Sequence, residues 1–127
     1  MSHLPIYFDF LIQCEREQAL IDRSCAHISP KLMALFLMLA HEAEQGSPLT
    51  VSGAMSQKQM ASSAALHKRI DDLREAGMIC VIYKGMDRRT KYLIPTDKGN
   101  RHLNLMGKLL QSSTRRKSTR NFSNYVL

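Results

Sequence analysis

Between Ser62 and Thr96 the chain changes its hydrophobic period once, and the change falls on a glycine. Leu66, Ile70 and Leu73 recur at i, i+4 and i+7, which aligns their side chains on one stripe of an α-helix. Ser62-Ser63 place capping hydroxyls ahead of that stripe, and Gly77 follows it, where a glycine ends a helix most readily. From Met78 the pattern is β-prone. Met78-Ile79-Cys80-Val81-Ile82-Tyr83 and Thr90-Lys91-Tyr92-Leu93-Ile94 are rich in β-branched and aromatic residues and flank Lys84-Gly85-Met86-Asp87-Arg88-Arg89. This arrangement predicts a hairpin with Gly85 at its turn. A one-striped helix joined directly to a short hairpin can bury neither face alone, so both must pack on further helices.

The rest of the chain offers those helices. Phe8, Leu11, Ile12, Cys14, Leu20 and Ile21 predict one amphipathic helix from Tyr7 to about Ser24, after a frayed start over residues 1–5. Ser29-Pro30, a capping serine before a first-turn proline, opens a second helix that runs to about Gln45. Its middle, Leu32 to Ala40, is apolar nearly all round and is expected to be buried on more than one side. Gly46-Ser47-Pro48 ends it. Leu49-Thr50-Val51 reads as a short β segment, a candidate third strand, followed by a short helix over Ser52–Met55 and a turn over residues 56–61. Thr96-Asp97-Lys98-Gly99 starts a last, short helix with Leu103, Met106, Leu109 and Leu110 as its apolar side. The segment Ser113 to Asn121 has basic residues but no apolar period.

The fold class implied is mainly α with a small antiparallel β-hairpin, a winged helix-turn-helix. Residues 1–111 form one such domain with helical dimerisation elements at both ends, and residues 112–127 form a basic, disordered tail.

Charge is unevenly spread. Residues 1–48 carry three Lys/Arg against six Asp/Glu, residues 49–101 carry ten against five, and residues 102–127 carry five with no acid, summing to +7. A cationic half beside an anionic half points one face at a polyanion. Three cysteines, Cys14, Cys25 and Cys80, without C-x-x-C spacing indicate neither a disulfide framework nor a zinc knuckle. They read as packing residues in a reducing cytoplasm, although Arg23 and His27 beside Cys25 could lower a thiol pKa. His41-Glu42-Ala43-Glu44-Gln45 resembles the opening of a zinc-protease helix but lacks the second histidine. No catalytic, metal or cofactor site is expected, nor a signal peptide or membrane span.

The chemistry-bearing residues fall in two groups. On the outer face of the Ser62–Ala76 helix, Ser62, Ser63, Ala64, His67 and Lys68 occupy its first half, where side chains and N–H groups reach base edges and phosphates. On the hairpin, Lys84, Arg88, Arg89 and Lys91 make a cationic wing. Asp87 and Arg89, two apart, share a face if strand geometry persists, so that the carboxylate orients the guanidinium toward a narrow minor groove.

These residues resemble the MarR family of winged-helix transcriptional regulators. Leu73-x-x-x-Gly77-Met78-Ile79 looks like the end of that family's recognition helix and the entry to its wing. Asp87-Arg88-Arg89 looks like its wing D-x-R, and Thr96-Asp97-Lys98-Gly99 like its T-x-x-G. The resemblance implies a homodimer on pseudo-palindromic double-stranded DNA, joined through terminal helices, with a small-molecule site often present between the two regions. It makes Asp87 the wing-organising carboxylate, Arg89 the groove-entering arginine and Ser62 to Lys68 the reading surface. The function expected is a DNA-binding transcriptional regulator, a repressor. The competing expectation is a winged-helix protein-interaction or plasmid/phage maintenance module whose cationic face meets an acidic partner. The effector ligand stays open.

Overall fold

The computed structural model describes residues 2–25, 28–57 and 59–115. In chain order these form α1 (Leu4–Arg16), α2 (Gln18–Ser24), α3 (Pro30–Glu44), α4 (Val51–Met55), α5 (Ser63–Glu75), β1 (Ile79–Ile82), β2 (Tyr92–Pro95) and α6 (Asp97–Arg115). The architecture is a winged helix-turn-helix.

Hydroxyls start α3, α4 and α5, as Thr96 does α6. Ser29 accepts from Leu32 N–H at 3.2 Å, Thr50 from Gly53 N–H at 2.9 Å and Ser62 from Ala65 N–H at 3.2 Å, each satisfying an amide that the helix itself cannot. The core then assembles from one stripe per element. Leu35, Phe36 and Leu39 of α3, Ala54 of α4, Leu66, Ile70 and Leu73 of α5, and Met78, Ile79 and Leu93 of the hairpin form one buried cluster. Leu37 lies outside it and is exposed, so α3 is not buried all round as its composition suggests.

Gly77 is in the left-handed region, φ +74°, and the turn it makes is a Schellman motif. Its N–H bonds Arg74 C=O at 3.0 Å, and Met78 N–H bonds Leu73 C=O at 3.0 Å. This closure directs the chain into β1, which pairs antiparallel with β2 in the register Ile79↔Pro95 to Ile82↔Tyr92. Leu49-Thr50-Val51 adds only a single bridge, Thr50↔Tyr92, because Val51 already belongs to α4. Two amide bonds fix it, Leu93 N–H to Leu49 C=O at 2.9 Å and Val51 N–H to Lys91 C=O at 3.0 Å.

Two expectations for the ends of the chain are corrected. The first helix is two: Glu17, at φ −99° and ψ 18°, separates α1 from α2, and α1 starts at Leu4 because Pro5 fits a first helical turn. The last helix is not short. It runs 19 residues to Arg115, with Ser113 buried, so the ordered domain passes residue 111 and takes in the first residues assigned to a tail. Residues 116–127, with Arg116, Lys117 and Arg120, lie outside the described residues, as does His27.

A pairing of α1 and α2 against α6 explains why α6 continues. Gln13 Nε2 donates to Ser113 Oγ at 3.0 Å, and Ser113 Oγ donates to Leu109 C=O at 2.9 Å. At the other end, Ser24 Oγ donates to Ile21 C=O at 2.8 Å and meets His102 Nδ1 at 2.9 Å. On α6, His102 and Ser113 are three turns apart and so share one face, while Gln13 of α1 and Ser24 of α2 meet them in the opposite order. The two polar pairs therefore pin an antiparallel helical layer.

His102 is buried, and burial holds its pKa below the ordinary value of 6.5. The unfolded chain then protonates first as pH falls, so stability is unaffected above about pH 7 and is lost progressively below about 6.5. We expect the melting temperature to fall between about pH 7.5 and 5.5, and His102→Gln to shrink that acid-dependent part. Parallel melting curves for the two proteins across this range, with no difference in slope, would contradict the assignment.

Candidate nucleic-acid interface

With Leu66, Ile70 and Leu73 turned inward, the opposite face of α5 is presented outward. Ser62, Ser63, Ala64, His67, Lys68, Asp71 and Arg74 are all exposed. The hydroxyls already have partners in the fold. Ser62 Oγ accepts the cap amide, leaving its O–H to donate elsewhere, while Ser63 Oγ lies 3.4 Å from Met55 C=O. Two side-chain pairs span successive turns: His67 Nδ1 lies 3.2 Å from Asp71 Oδ2, and Lys68 Nζ makes an ion pair with Asp72 Oδ2 at 3.3 Å. Such exposed i,i+4 pairs contribute little to stability, so their chief effect is to set side-chain direction.

Beyond β1 the hairpin leaves strand geometry, so Asp87 and Arg89 do not share a strand face. A local turn brings them together instead. Asp87 Oδ1 accepts Arg89 N–H at 2.9 Å, and the Arg89 Nε lies 4.0 Å from the same oxygen. The carboxylate thus fixes the backbone of Arg89 and leaves its side chain 98% exposed. Arg88 behaves differently. Its guanidinium stacks 5.2 Å from the centre of the Tyr83 ring, a cation–π contact that holds it against the wing. Tyr83 carried no signal for this, because the contact crosses a loop whose shape the sequence does not dictate. Lys84 and Lys91 are exposed on either side of the tip.

Two small clefts join the wing to the helices. Val51, His67, Ile70, Asp71, Arg74 and Lys91 line one of about 150 Å³. Thr50, Ser52, Arg89, Thr90 and Lys91 line most of another of about 220 Å³. Lys91 borders both, so the outer face of α5 and the base of the wing form one continuous surface. Arg74 and Ser52 therefore join the candidate residues. Helical spacing already sets Arg74 opposite Leu66, Ile70 and Leu73, but only the packing of α4 and β2 brings it and Ser52 beside the wing.

The cysteines lie away from this surface. Burial raises the Cys14 thiol pKa, and it raises that of Cys25 against the opposing Ser24 hydrogen bond. Both shifts disfavour the reactive thiolate. Among the described residues no three His, Cys, Asp or Glu side chains assemble as a metal site, and no helix is long and apolar enough to cross a membrane. His41 and Glu44 instead line an open cleft of about 750 Å³ between α3, β2 and α6.

No protein-family model and no curated protein matches the chain. Solved structures do. A MarR-like transcriptional regulator from Thermotoga maritima superposes with a TM-score of 0.54 at 17% identity, covering 93% of this chain and 84% of that one. Heme-free PefR gives 0.46 at 16% identity over 81% and 93% of the two chains. The adhesin competence repressor AdcR from Streptococcus pyogenes gives 0.43 at 18% identity over 90% and 81%. The first of these likenesses places the chain in the MarR-like winged-helix fold.

Proposed function

We propose that the chain is a transcriptional regulator that binds duplex DNA as a homodimer, most simply as a repressor that occupies its operator. One observation supports this above others: the cleft shared by His67, Arg74 and Lys91 joins the outer face of α5 to the wing. A helix and a cationic loop on one surface match a major groove and its flanking backbone or minor groove. Ser62, Ser63, Ala64, His67 and Lys68 form the reading surface, and Lys84, Arg88, Arg89 and Lys91 supply cations from the wing. Asp87 fixes the wing tip.

Dimerisation rests on α1. Leu4, Tyr7, Phe8 and Leu11 follow i, i+3, i+4 and i+7 spacing and are all exposed, whereas Gln13 is the residue this helix buries. An apolar stripe turned to water is most simply covered by a second copy under C2 symmetry. Such a pair sets two recognition helices about one DNA turn, ~34 Å, apart.

The test is fluorescence anisotropy with a random-sequence duplex over a salt series. With about six cations meeting phosphates, log affinity should fall against log salt with a slope of roughly −5. Indifference to duplex DNA at low ionic strength would overturn the reading and favour an acidic protein partner. Arg89→Ala should weaken binding by about 1–3 kcal/mol if the arginine enters the groove, since its exposed side chain has no role in the fold. Equal affinity of variant and parent would remove the wing tip from the interface.

A further inference from the structure

We propose that His67 is the base-reading residue of α5 and that Asp71 holds it as a hydrogen-bond acceptor, so that it selects a base with an exocyclic amino group in the major groove. This rests on the DNA-binding reading above and adds the identity of what is read.

Asp71 Oδ2 lies 3.2 Å from His67 Nδ1, and an ionised carboxylate can only accept. In a neutral imidazole the carboxylate's negative charge favours the tautomer with the proton on Nδ1. A neutral ring has one N–H, so Nε2 carries a lone pair. His67 is 63% exposed and Asp71 56%, so the imidazole is largely open to solvent on the outer face of α5. In the major groove an acceptor meets its match in the N6 amino group of adenine or the N4 amino group of cytosine. Guanine presents only acceptors there, N7 and O6, and is rejected by the lone pair.

The neighbouring side chains do not compete for this role. Lys68 offers only donors, and its ammonium is turned toward Asp72 at 3.3 Å. Ser63 Oγ is turned to Met55 C=O, and Ser62 Oγ, which already accepts the cap amide, is left with its O–H, a donor. The charged groups facing His67 are Asp71 and Arg74 on its own helix and Lys91 from the wing, while α4 contributes the apolar Val51. Of these, Asp71 is the group that lies 3.2 Å from the ring nitrogen. Asp71 is a positioning residue, since it acts through the imidazole.

The test is selection of bound sites from a randomised duplex library. The parent should enrich adenine or cytosine at one position of each half-site, by roughly fivefold to tenfold over guanine. His67→Ala should lose the preference. Asp71→Ala should relax it, although removing a negative charge strengthens nonspecific binding. Asp71→Asn should restore it, because the amide oxygen still accepts from Nδ1–H.

Both side chains are exposed, so each variant should fold. Salt-dependent binding of random duplex by all variants, with selected sites identical to those of the parent, would overturn the proposal while sparing the DNA-binding reading. Failure of the parent itself to bind random duplex would overturn both.

Discussion

Gly99→Ala should destabilise the domain, although alanine is the best helix former and glycine among the worst. The residue lies in the first turn of α6. A Cβ built there would sit 2.5 Å from the Met78 carbonyl oxygen and 3.1 Å from two atoms of the Phe36 ring. The nearest of these atoms is backbone and cannot rotate aside. Relief requires α6 to lift from the β1 entrance, yet that entrance is stitched to it: Thr96 N–H bonds Met78 C=O at 3.0 Å, Gly99 N–H bonds Thr96 Oγ1 at 3.1 Å, and Thr96 Oγ1–H bonds Gly77 C=O. Lys98 Nζ adds a bond to Ala76 C=O at 2.8 Å.

Helix propensity would favour alanine by about 0.8–1.0 kcal/mol. Overpacking against a rigid neighbour costs about 1–3 kcal/mol and sometimes more, and here it also strains four hydrogen bonds around the C-terminus of α5. The clash should dominate, giving a net loss of ~2 kcal/mol and a fall of very roughly 5–10 °C in Tm. Gly107→Ala provides the control. In the same helix, with nothing within 4 Å of its built Cβ, it should stabilise by about 0.5–1 kcal/mol. Thermal melts in which the two alanines shift Tm in the same direction would refute the packing argument.

The glycine illustrates how legibility divides. Its spacing after Thr96 marked the start of α6, but nothing in the sequence said that a carbonyl oxygen from the β1 entrance would approach it. In general the local signals were readable: Ser29 and Ser62 cap the helices they precede, Gly77 ends α5, and Leu66, Ile70 and Leu73 face inward. Each depends on neighbours within one or two turns.

What could not be read depends on pairings distant in sequence. The extent of α6 is set by Gln13 and Ser24 reaching Ser113 and His102, so a polar sequence near residue 112 looked like a tail although its inner face is buried. The division at Glu17 was likewise invisible, since the apolar period on both sides suits a single rod. At the candidate interface the types were legible and the geometry was not. Asp87 beside Arg89 suggested a partnership, but the carboxylate binds the arginine's backbone amide, and Arg88 is held by Tyr83. The surface that joins Arg74 to Lys91 required α4 and β2 to be in place.

The largest effect on function is expected from replacing Phe8 and Leu11 together by glutamate. In the single chain Phe8 is 48% and Leu11 44% exposed, so charges at these positions should leave the fold intact. In the proposed dimer both would lie in the apolar stripe. Each Phe or Leu fully buried there contributes about 1.5–3 kcal/mol, and symmetry counts every change twice. A carboxylate in its place brings an unpaired charge into an apolar contact, a cost of several kcal/mol if it remains ionised. The sum exceeds what a modest interface can absorb, and light scattering should give a monomeric mass.

The consequence for DNA follows from linkage of two half-sites. Once one recognition helix is bound, its partner meets the second half-site at high effective concentration, which raises affinity by about 10²–10⁴ without any new type of contact. A folded monomer should lose that factor on a two-site duplex while keeping its weak affinity for a single half-site. Retention of a dimeric mass in the double variant would exclude the α1 stripe as the interface. Monomerisation with undiminished affinity for the two-site duplex would show instead that each chain binds DNA independently.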